Sequence, residues 1–217
     1  MVRAPDHLGD GVMALPAMNA LRAVGSVRVV GPSWATPLYG SPDHDDSDED
    51  AAILFKPSFS AAWQARHHPR RVGLSTDGRW PLLTDAVVPQ GRHRSRDFEA
   101  IAAVVGATTA GLPTLQPNDS DLPMLPDDFV VFVPLTRSPE TVAWTGFAAL
   151  AEAIGRDRVV FAAGPGEDSL LARVANGCQT LPPLPIEAFA AVAARARAIV
   201  GNDSGLTHLA TAAVRGA

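Results

Sequence analysis

Short apolar runs recur along this chain of 217 residues and alternate with segments of helical periodicity. The runs cover residues 2–4, 27–30, 51–55, 71–74, 129–134, 158–162 and 196–200. Between them, apolar residues such as Val12, Leu15 and Met18 recur at a spacing that places them on one helix face. Strands that alternate with helices predict parallel sheets with helices on both faces, and therefore an α/β fold.

A proline-rich segment at 111–126 interrupts this alternation. It carries four prolines among polar residues, which is typical of a linker between domains. The sequence therefore predicts a first domain at 1–115, a linker at 116–126 and a second domain at 127–217. Three clear strand patterns follow residue 127, and we expect the second domain to be incomplete.

The charge of the chain is unevenly distributed, although its net value is only −5. Six acidic residues lie within 43–50, and such a run is typical of a solvated loop. The Asp-x-Asp pairs in that run, and the pair Asp119 and Asp121, follow no strand pattern, so we expect no metal site there. An acidic chain without aromatic residues interleaved among its basic ones argues against nucleic acid as a partner.

The sequence shows no pattern for export or membrane insertion. Hydrophobic residues make up 47% of the chain, but no apolar run reaches the ~18–20 residues that a membrane-spanning helix needs. The first residues contain no apolar core of a signal peptide. Cys178 has no second cysteine to pair with, and we expect it to be chemically inert. These features predict a cytoplasmic protein.

The turn at 201–205, with sequence GNDSG, joins the apolar run at 196–200 to a helical pattern that begins at Leu206. A glycine-bearing turn at a helix N-terminus leaves backbone N–H groups unpaired, and the helix dipole there favours an anion. The turn therefore has the outline of a phosphate site. In the alternative interpretation, Asp203 or Ser204 simply caps the helix.

A second turn of this kind lies near the start of the chain, in RAPDHLGDGVMALPAMNALR at 3–22. Together with GNDSGLTHLATAA, this segment closely resembles glycosyltransferase family 9, the bacterial ADP-heptose:lipopolysaccharide heptosyltransferases. The opening segment is most similar to the heptosyltransferase II branch. The resemblance extends through SFSAAW, PRRVG and DGRWPLLTDAV, which lie between 58 and 87.

The resemblance implies a GT-B fold, with two Rossmann-like domains, and a metal-independent, inverting transfer without a cofactor. The donor would be ADP-L-glycero-D-manno-heptose and the acceptor the lipid A–core oligosaccharide, at the inner core of lipopolysaccharide. A lipid-linked acceptor implies peripheral contact with the cytoplasmic face of the inner membrane. Members of the family continue beyond the helix after the second motif, so we expect this chain to be truncated at its C-terminus.

Asp10 of the Leu-Gly-Asp turn is the candidate catalytic residue. The resemblance implies that its carboxylate is the general base, which takes the proton of the acceptor hydroxyl as that oxygen attacks the anomeric carbon. In the alternative interpretation, Asp10 caps the helix that starts there.

The second motif supplies the candidate donor-binding residues Asp203, Ser204, Gly205 and His208. The resemblance implies that backbone amides and the Ser204 hydroxyl hold phosphate oxygens, while Asp203 accepts hydrogen bonds from sugar hydroxyls. His208 follows Ser204 by four residues and shares its helix face, where the imidazole can donate to phosphate. Alternatively, His208 is packed within the helix.

Glu167 lies after the glycines that follow the run at 158–162, and the resemblance assigns it to the donor's ribose hydroxyls. Alternatively, it complements a helix dipole.

The loop after the run at 129–134 departs from the family pattern, because Val142 stands where a lysine would neutralise the departing diphosphate. Thr136 or Arg137 is the candidate substitute. This departure, together with the expected truncation, favours an alternative function, that of a degenerate homologue that does not catalyse transfer. A further alternative is a transferase for another nucleotide sugar on the same scaffold, since a fold does not fix its substrate.

Arg66, Arg70 and Arg71 are the candidate acceptor-binding residues. They belong to one of two basic clusters in the first domain, the other lying at 92–96. The resemblance places the acceptor on this domain, and basic side chains suit a phosphorylated, acidic oligosaccharide. Alternatively, these residues form a solvated basic face.

Overall fold

The computed structural model describes residues 1–40, 49–91, 93–109, 111–118, 122–137 and 143–214. Contacts between Cα atoms divide the chain into two compact units, Met1–Pro113 and Thr114–Ala217. The Asp-x-Asp pairs at 43–48 and 119–121 lie outside the described residues, and so does Val142. In the described part of the chain, no helix has the length and apolarity that a membrane crossing requires.

Unit 1 is built on a five-stranded parallel sheet in the order β2-β1-β3-β4-β5. Its strands are β1 (Val2–Arg3), β2 (Val29–Val30), β3 (Ala51–Leu54), β4 (Arg70–Leu74) and β5 (Asp85–Val87). Its helices are α1 (Leu8–Met13), α2 (Leu15–Val24), α3 (Ala35–Tyr39), α4 (Phe59–Gln64) and α5 (Arg94–Val104). The strand order reverses between β1 and β3, and the carboxyl ends of strands at such a switch point form the usual ligand-binding crevice.

The sequence pattern explains which faces of unit 1 are buried. The strand β3 is apolar along its length, and Phe55 directly after it is fully buried. Phe98 and Ile101 share one face of α5, and the Phe98 ring meets the Phe55 ring edge-on with 5.0 Å between centroids. The helix is thereby fixed against the sheet.

Glu49 is the centre of a cluster of charged groups at the amino ends of the strands in this sheet. The Glu49 carboxylate accepts hydrogen bonds from Arg28 Nε at 2.6 Å and from His68 Nε2 at 2.8 Å, and lies 3.5 Å from the N-terminal amine. Burial opposes ionisation of Glu49, but these hydrogen bonds and the charges of the N-terminus and Arg28 outweigh burial and lower its pKa to about 2.

Because the folded pKa of Glu49 lies below its ordinary value, its stabilising contribution is complete above about pH 5 and is lost as the pH falls towards 2. We expect Glu49→Gln to lower the free energy of unfolding by about 2 kcal/mol at pH 7, the scale of hydrogen bonds to a charged group. The difference from the native chain should shrink steadily below pH 5. Urea unfolding at a series of pH values measures it, and a difference that is independent of pH would contradict the assignment.

Unit 2 is built on a four-stranded parallel sheet in the order β8-β7-β6-β9. Its strands are β6 (Val130–Val133), β7 (Val159–Phe161), β8 (Gln179–Thr180) and β9 (Ala198–Gly201). Its helices are α6 (Phe147–Ile154), α7 (Asp168–Ala175), α8 (Ile186–Arg195) and α9 (Gly205–Val214). The order reverses between β6 and β9, so this sheet also has a switch point.

The core on one face of the unit 2 sheet is centred on Phe132 in β6. Its ring meets Phe147 and Phe161 edge-on, at centroid distances of 5.5 and 5.2 Å. All three rings are buried. The apolar sequences of β6 and β7 therefore reflect strands that are covered on both faces.

Candidate functional site

The predicted donor residues of unit 2 lie at its switch point. Thr136 follows β6, whereas Asp203 and Ser204 follow β9, the neighbouring strand. The Thr136 hydroxyl donates a hydrogen bond of 2.8 Å to the backbone carbonyl of Asp203. The structure thus brings together residues that are almost seventy positions apart in the sequence.

Ser204 caps the helix that follows the turn. Its hydroxyl oxygen accepts a hydrogen bond of 3.3 Å from the Thr207 amide, as a cap residue does. The amides of Gly205 and Leu206, at the first positions of α9, donate to no described residue. Capping therefore leaves two N–H groups at the helix N-terminus for an anion, and the two interpretations of this turn are compatible.

Gly201, the last residue of β9, lies in contact with the first turn of α9. The Thr207 hydroxyl donates a hydrogen bond of 2.7 Å to the carbonyl of Asn202, which brings its side chain against Gly201. A Cβ atom at Gly201 would collide with Thr207 Oγ1. The glycine thus permits the close packing of α9 on the end of β9.

His208 contacts the predicted sugar-binding carboxylate. Its Nε2 lies 3.0 Å from Asp203 Oδ1, and both side chains are exposed to solvent. The alternative interpretation, a histidine packed within the helix, does not describe this arrangement. The imidazole instead contacts the Asp203 side chain on the solvent-exposed side of the turn.

Asn202 is a site residue that sequence reasoning missed. Its side chain is only 6% exposed. Its Nδ2 donates to the carbonyl of Pro134 at 2.6 Å and faces that of Trp144 at 3.3 Å, while its Oδ1 accepts from the Trp144 amide at 2.8 Å. The only signal in the sequence is a polar residue directly after an apolar strand, which is not specific.

Glu167 lies beyond the carboxyl end of β7, the strand that neighbours β6 in the sheet. Its Oε2 accepts a hydrogen bond of 2.8 Å from the amide of Gly164, and its own amide donates to the Gly164 carbonyl at 3.2 Å. Glu167 is also the residue directly before α7. The carboxylate closes its own loop, and its Oε1 bonds to no described residue.

In unit 1, Asp10 lies in the first turn of α1, after the carboxyl end of β1. No described residue donates a hydrogen bond to its carboxylate, and His7 at the cap position makes no side-chain capping bond. The capping interpretation is therefore not realised. The partner of Asp10 is Arg94, whose Nε lies 3.8 Å from Asp10 Oδ1.

Arg94 is held beside Asp10 by two further contacts. Its Nη1 lies 3.3 Å from Oδ2 of the buried Asp97, and its guanidinium lies over the Phe98 ring at 5.7 Å from the centroid. Asp97 is itself fixed by the amide of Gln90 at 2.8 Å. Arg94 belongs to the basic cluster at 92–96, but the sequence did not single it out.

Gly11, the residue after Asp10, is closely packed against Tyr39 and Trp34. The Tyr39 hydroxyl donates a hydrogen bond of 2.8 Å to the carbonyl of Gly11, and burial, assisted by the charge of Asp10, raises the pKa of Tyr39 above its ordinary value. A Cβ atom at Gly11 would collide with the Trp34 ring. The glycine after Asp10 is therefore needed for α1 to pack on α3.

A buried arginine fixes the neighbouring strand ends. Arg79 is fully buried and donates to the carbonyl of Leu74 at 2.8 Å and to that of Lys56 at 2.6 Å. Leu74 is the last residue of β4, and Lys56 follows the end of β3 by two residues. Burial lowers its pKa to about 10, against the opposing effect of the Asp77 charge. The side chain of Lys56 in turn forms an ion pair with Asp6 at 2.9 Å, and so joins the loops at the switch point.

The structure does not bring the predicted acceptor arginines to Asp10. Arg70 and Arg71 are the first residues of β4 and so lie at the amino ends of the parallel strands. Asp10 lies at the opposite side of the sheet, beyond the carboxyl end of β1. Arg70 is paired with Asp85 at 3.1 Å, and Arg71 Nε donates to the Leu82 carbonyl at 2.7 Å. Arg66 lies over the Trp63 ring at 4.8 Å from its centroid. Their charges are largely engaged in holding unit 1 together.

Among the described residues, no group of three or more His, Cys, Asp or Glu side chains is placed to hold a metal ion. Cys178 is partly buried, and burial raises the pKa of its thiol.

Comparison with known families decides the class of the protein. The sequence model of Glycosyltransferase family 9 (heptosyltransferase) matches residues 46–215, which is most of the chain. The chain belongs to glycosyltransferase family 9. It is therefore a glycosyltransferase of the heptosyltransferase type, as the two turn motifs predicted. No curated protein sequence matches it.

Solved structures confirm the fold of this family 9 glycosyltransferase. ADP-heptose lipopolysaccharide heptosyltransferase II of E. coli superposes with a TM-score of 0.76 at 21% identity, over 98% of this chain and 81% of that one. E. coli heptosyltransferase WaaC with ADP gives 0.72 at 17%, over 98% and 83%. A family 9 glycosyl transferase from Veillonella parvula gives 0.71 at 20%, over 98% and 77%. The predicted GT-B class, with two Rossmann-like parallel sheets, is thus confirmed.

Proposed function

We propose that this family 9 glycosyltransferase moves heptose from ADP-L-glycero-D-manno-heptose to the lipid A–core oligosaccharide of the lipopolysaccharide inner core. The observation that carries the proposal is the Asp10 carboxylate, which lies at a switch point with no hydrogen-bond donor among the described residues. A carboxylate left in that state is ready to accept the proton of an acceptor hydroxyl. The displacement is a single step without a metal ion, and it inverts the anomeric centre.

The turn after β9 is proposed to hold the donor diphosphate. The amides of Gly205 and Leu206 and the Ser204 hydroxyl supply donors at the N-terminus of α9, where the helix dipole favours negative charge. Thr136 adds a hydroxyl from the neighbouring strand, and Glu167 supplies an acceptor for ribose hydroxyls. Support for an adenine nucleotide comes from the E. coli WaaC structure, which holds ADP.

Asp203 and His208 are proposed to contact the donor at the mouth of the same turn. The Asp203 carboxylate suits sugar hydroxyls better than phosphate, since like charges repel. His208 Nε2 lies 3.0 Å from Asp203 Oδ1, and the imidazole is proposed to donate a hydrogen bond to the diphosphate as well. The pair would therefore bridge the sugar and the phosphates.

On the acceptor side we propose Arg94 as the cation nearest the reacting hydroxyl. It lies 3.8 Å from Asp10, whereas Arg66, Arg70 and Arg71 are engaged elsewhere in unit 1. A guanidinium in this position suits an acidic oligosaccharide. Because that acceptor is lipid-linked, we place the reaction at the cytoplasmic face of the inner membrane.

Binding of ADP tests the donor site directly. At about 100 times its dissociation constant, ADP should stabilise the folded chain by roughly 2.7 kcal/mol. For a chain of this size that corresponds to a melting temperature higher by about 5–10 °C. The Asp203→Ala variant should keep most of the rise in melting temperature that ADP causes, because Asp203 is proposed to contact the sugar. The further rise that the ADP-sugar causes in the native chain should be lost in this variant. A cooperative melt that ADP does not move would contradict the donor site.

A second candidate function is donor binding without transfer. It is favoured by Val142, because this position lacks the lysine that the family resemblance implies for the departing diphosphate. The native chain would then show the thermal shift with ADP-heptose but release no ADP in the presence of acceptor.

A further inference from the structure

We infer that Asn202 is a positioning residue of the donor site, which holds the segment after β6 against the turn after β9. The inference rests on the proposed donor function of that turn. Asn202 directly precedes Asp203 and Ser204, yet its side chain is buried and bonded to the main chain of unit 2. Its action is therefore indirect.

The contacts of Asn202 reach Pro134, directly after β6, and Trp144, shortly before α6. Its Nδ2 donates to the Pro134 carbonyl, and its Oδ1 accepts from the Trp144 amide. Both polar atoms of the side chain are thus engaged with main-chain groups that lie 68 and 58 residues earlier in the sequence. A buried amide satisfied in this way fixes Pro134 and Trp144 relative to the turn after β9, because any shift leaves polar groups unpaired in the interior.

Thr136 and Trp144 are the side chains that this arrangement fixes. Thr136 lies two residues after Pro134 and reaches the Asp203 carbonyl. Trp144 packs edge-on against the buried Phe147 at 4.8 Å between centroids, while 48% of it stays exposed. Gly146 allows this, since a Cβ there would collide with the indole. Asn202 therefore fixes the main chain of Trp144 and of Pro134, two residues before Thr136, relative to the turn that is proposed to hold the diphosphate.

Replacement of Asn202 by alanine tests the inference. We expect Asn202→Ala to raise the dissociation constant for ADP at least tenfold, measured by calorimetry well below the melting temperature. ADP should change the tryptophan fluorescence of the native chain, and both Trp144→Phe and Asn202→Ala should remove most of that change. Where transfer is measurable, the KM for the donor should rise tenfold while the KM for the acceptor changes less than twofold.

Val159→Ala is the matched control, because Val159 is a buried residue of β7 in the same unit with no part in the turn. It should lower the melting temperature and leave ADP affinity within twofold of native. Equal affinities in native and Asn202→Ala chains, or an equal loss in Val159→Ala, would overturn the positioning role. If the native chain itself fails to bind ADP, the proposed donor function fails instead.

Discussion

Asp10→Asn is expected to lower kcat for heptose transfer by about 10²–10⁴-fold, the contribution of a positioned general base. Asparagine keeps the size and polarity of the side chain but cannot accept the proton. The structure supports this prediction because the Asp10 carboxylate makes no capping hydrogen bond, so the substitution removes a base without removing a helix cap. Affinity for ADP should remain within twofold of the native value.

Asp6→Asn provides a nearby control. Asp6 precedes α1 by two residues and is paired with Lys56, and its substitution removes a carboxylate without removing the proposed base. We expect its kcat to stay within about threefold of native, as for a surface ion pair of small energetic effect. An Asp10→Asn enzyme with full activity, or an equal loss in Asp6→Asn, would contradict the catalytic role.

Phe132→Ala is expected to destabilise unit 2 by about 3–5 kcal/mol, the usual cost of removing a buried aromatic ring. Phe132 is 0% exposed in the middle of the sheet and contacts Phe147 and Phe161, so neither strand nor helix can close the cavity without losing other contacts. Urea unfolding followed by circular dichroism measures the loss as a lower free energy of unfolding than that of the native chain.

Leu170→Ala is the matched control for that experiment, since Leu170 lies in the same unit and is 52% exposed. Its effect should stay within about 0.5 kcal/mol, as for surface substitutions in general. A loss below 1 kcal/mol for Phe132→Ala would mean that the aromatic cluster is not the centre of this core.

The strands that could be predicted are the apolar ones. The runs at 51–55 and 129–134 become β3 and β6, because strands covered on both faces of a parallel sheet must be apolar throughout. The strands β5 and β8 were missed. They are two or three residues long, lie at sheet edges and include Asp85 and Gln179, so their pairing depends on a neighbouring strand and leaves little trace in the local sequence.

The candidate site was predictable where a single segment builds it. The turn at 201–205 combines strand end, glycines and helix start in one short motif, and the structure places it as the sequence indicates. The roles of Asn202 and Arg94 depend on partners more than fifty residues away, which no local pattern shows. The charges of Arg70 and Arg71 were visible in the sequence, but Asp85 and the Leu82 carbonyl that engage them were not recognisable as their partners.

Transfer of heptose from an ADP-sugar by this chain is tested by an assay in which the nucleotide of the sugar donor is varied. The purified chain would be incubated with lipid A–core acceptor and with ADP-, UDP- or GDP-linked sugars, in the presence of EDTA, and the product followed by mass spectrometry. We expect an acceptor that is heavier by one heptose with ADP-heptose and unchanged with the UDP- and GDP-sugars. Transfer from UDP- or GDP-sugars, transfer that EDTA abolishes, or no transfer from ADP-heptose would contradict it.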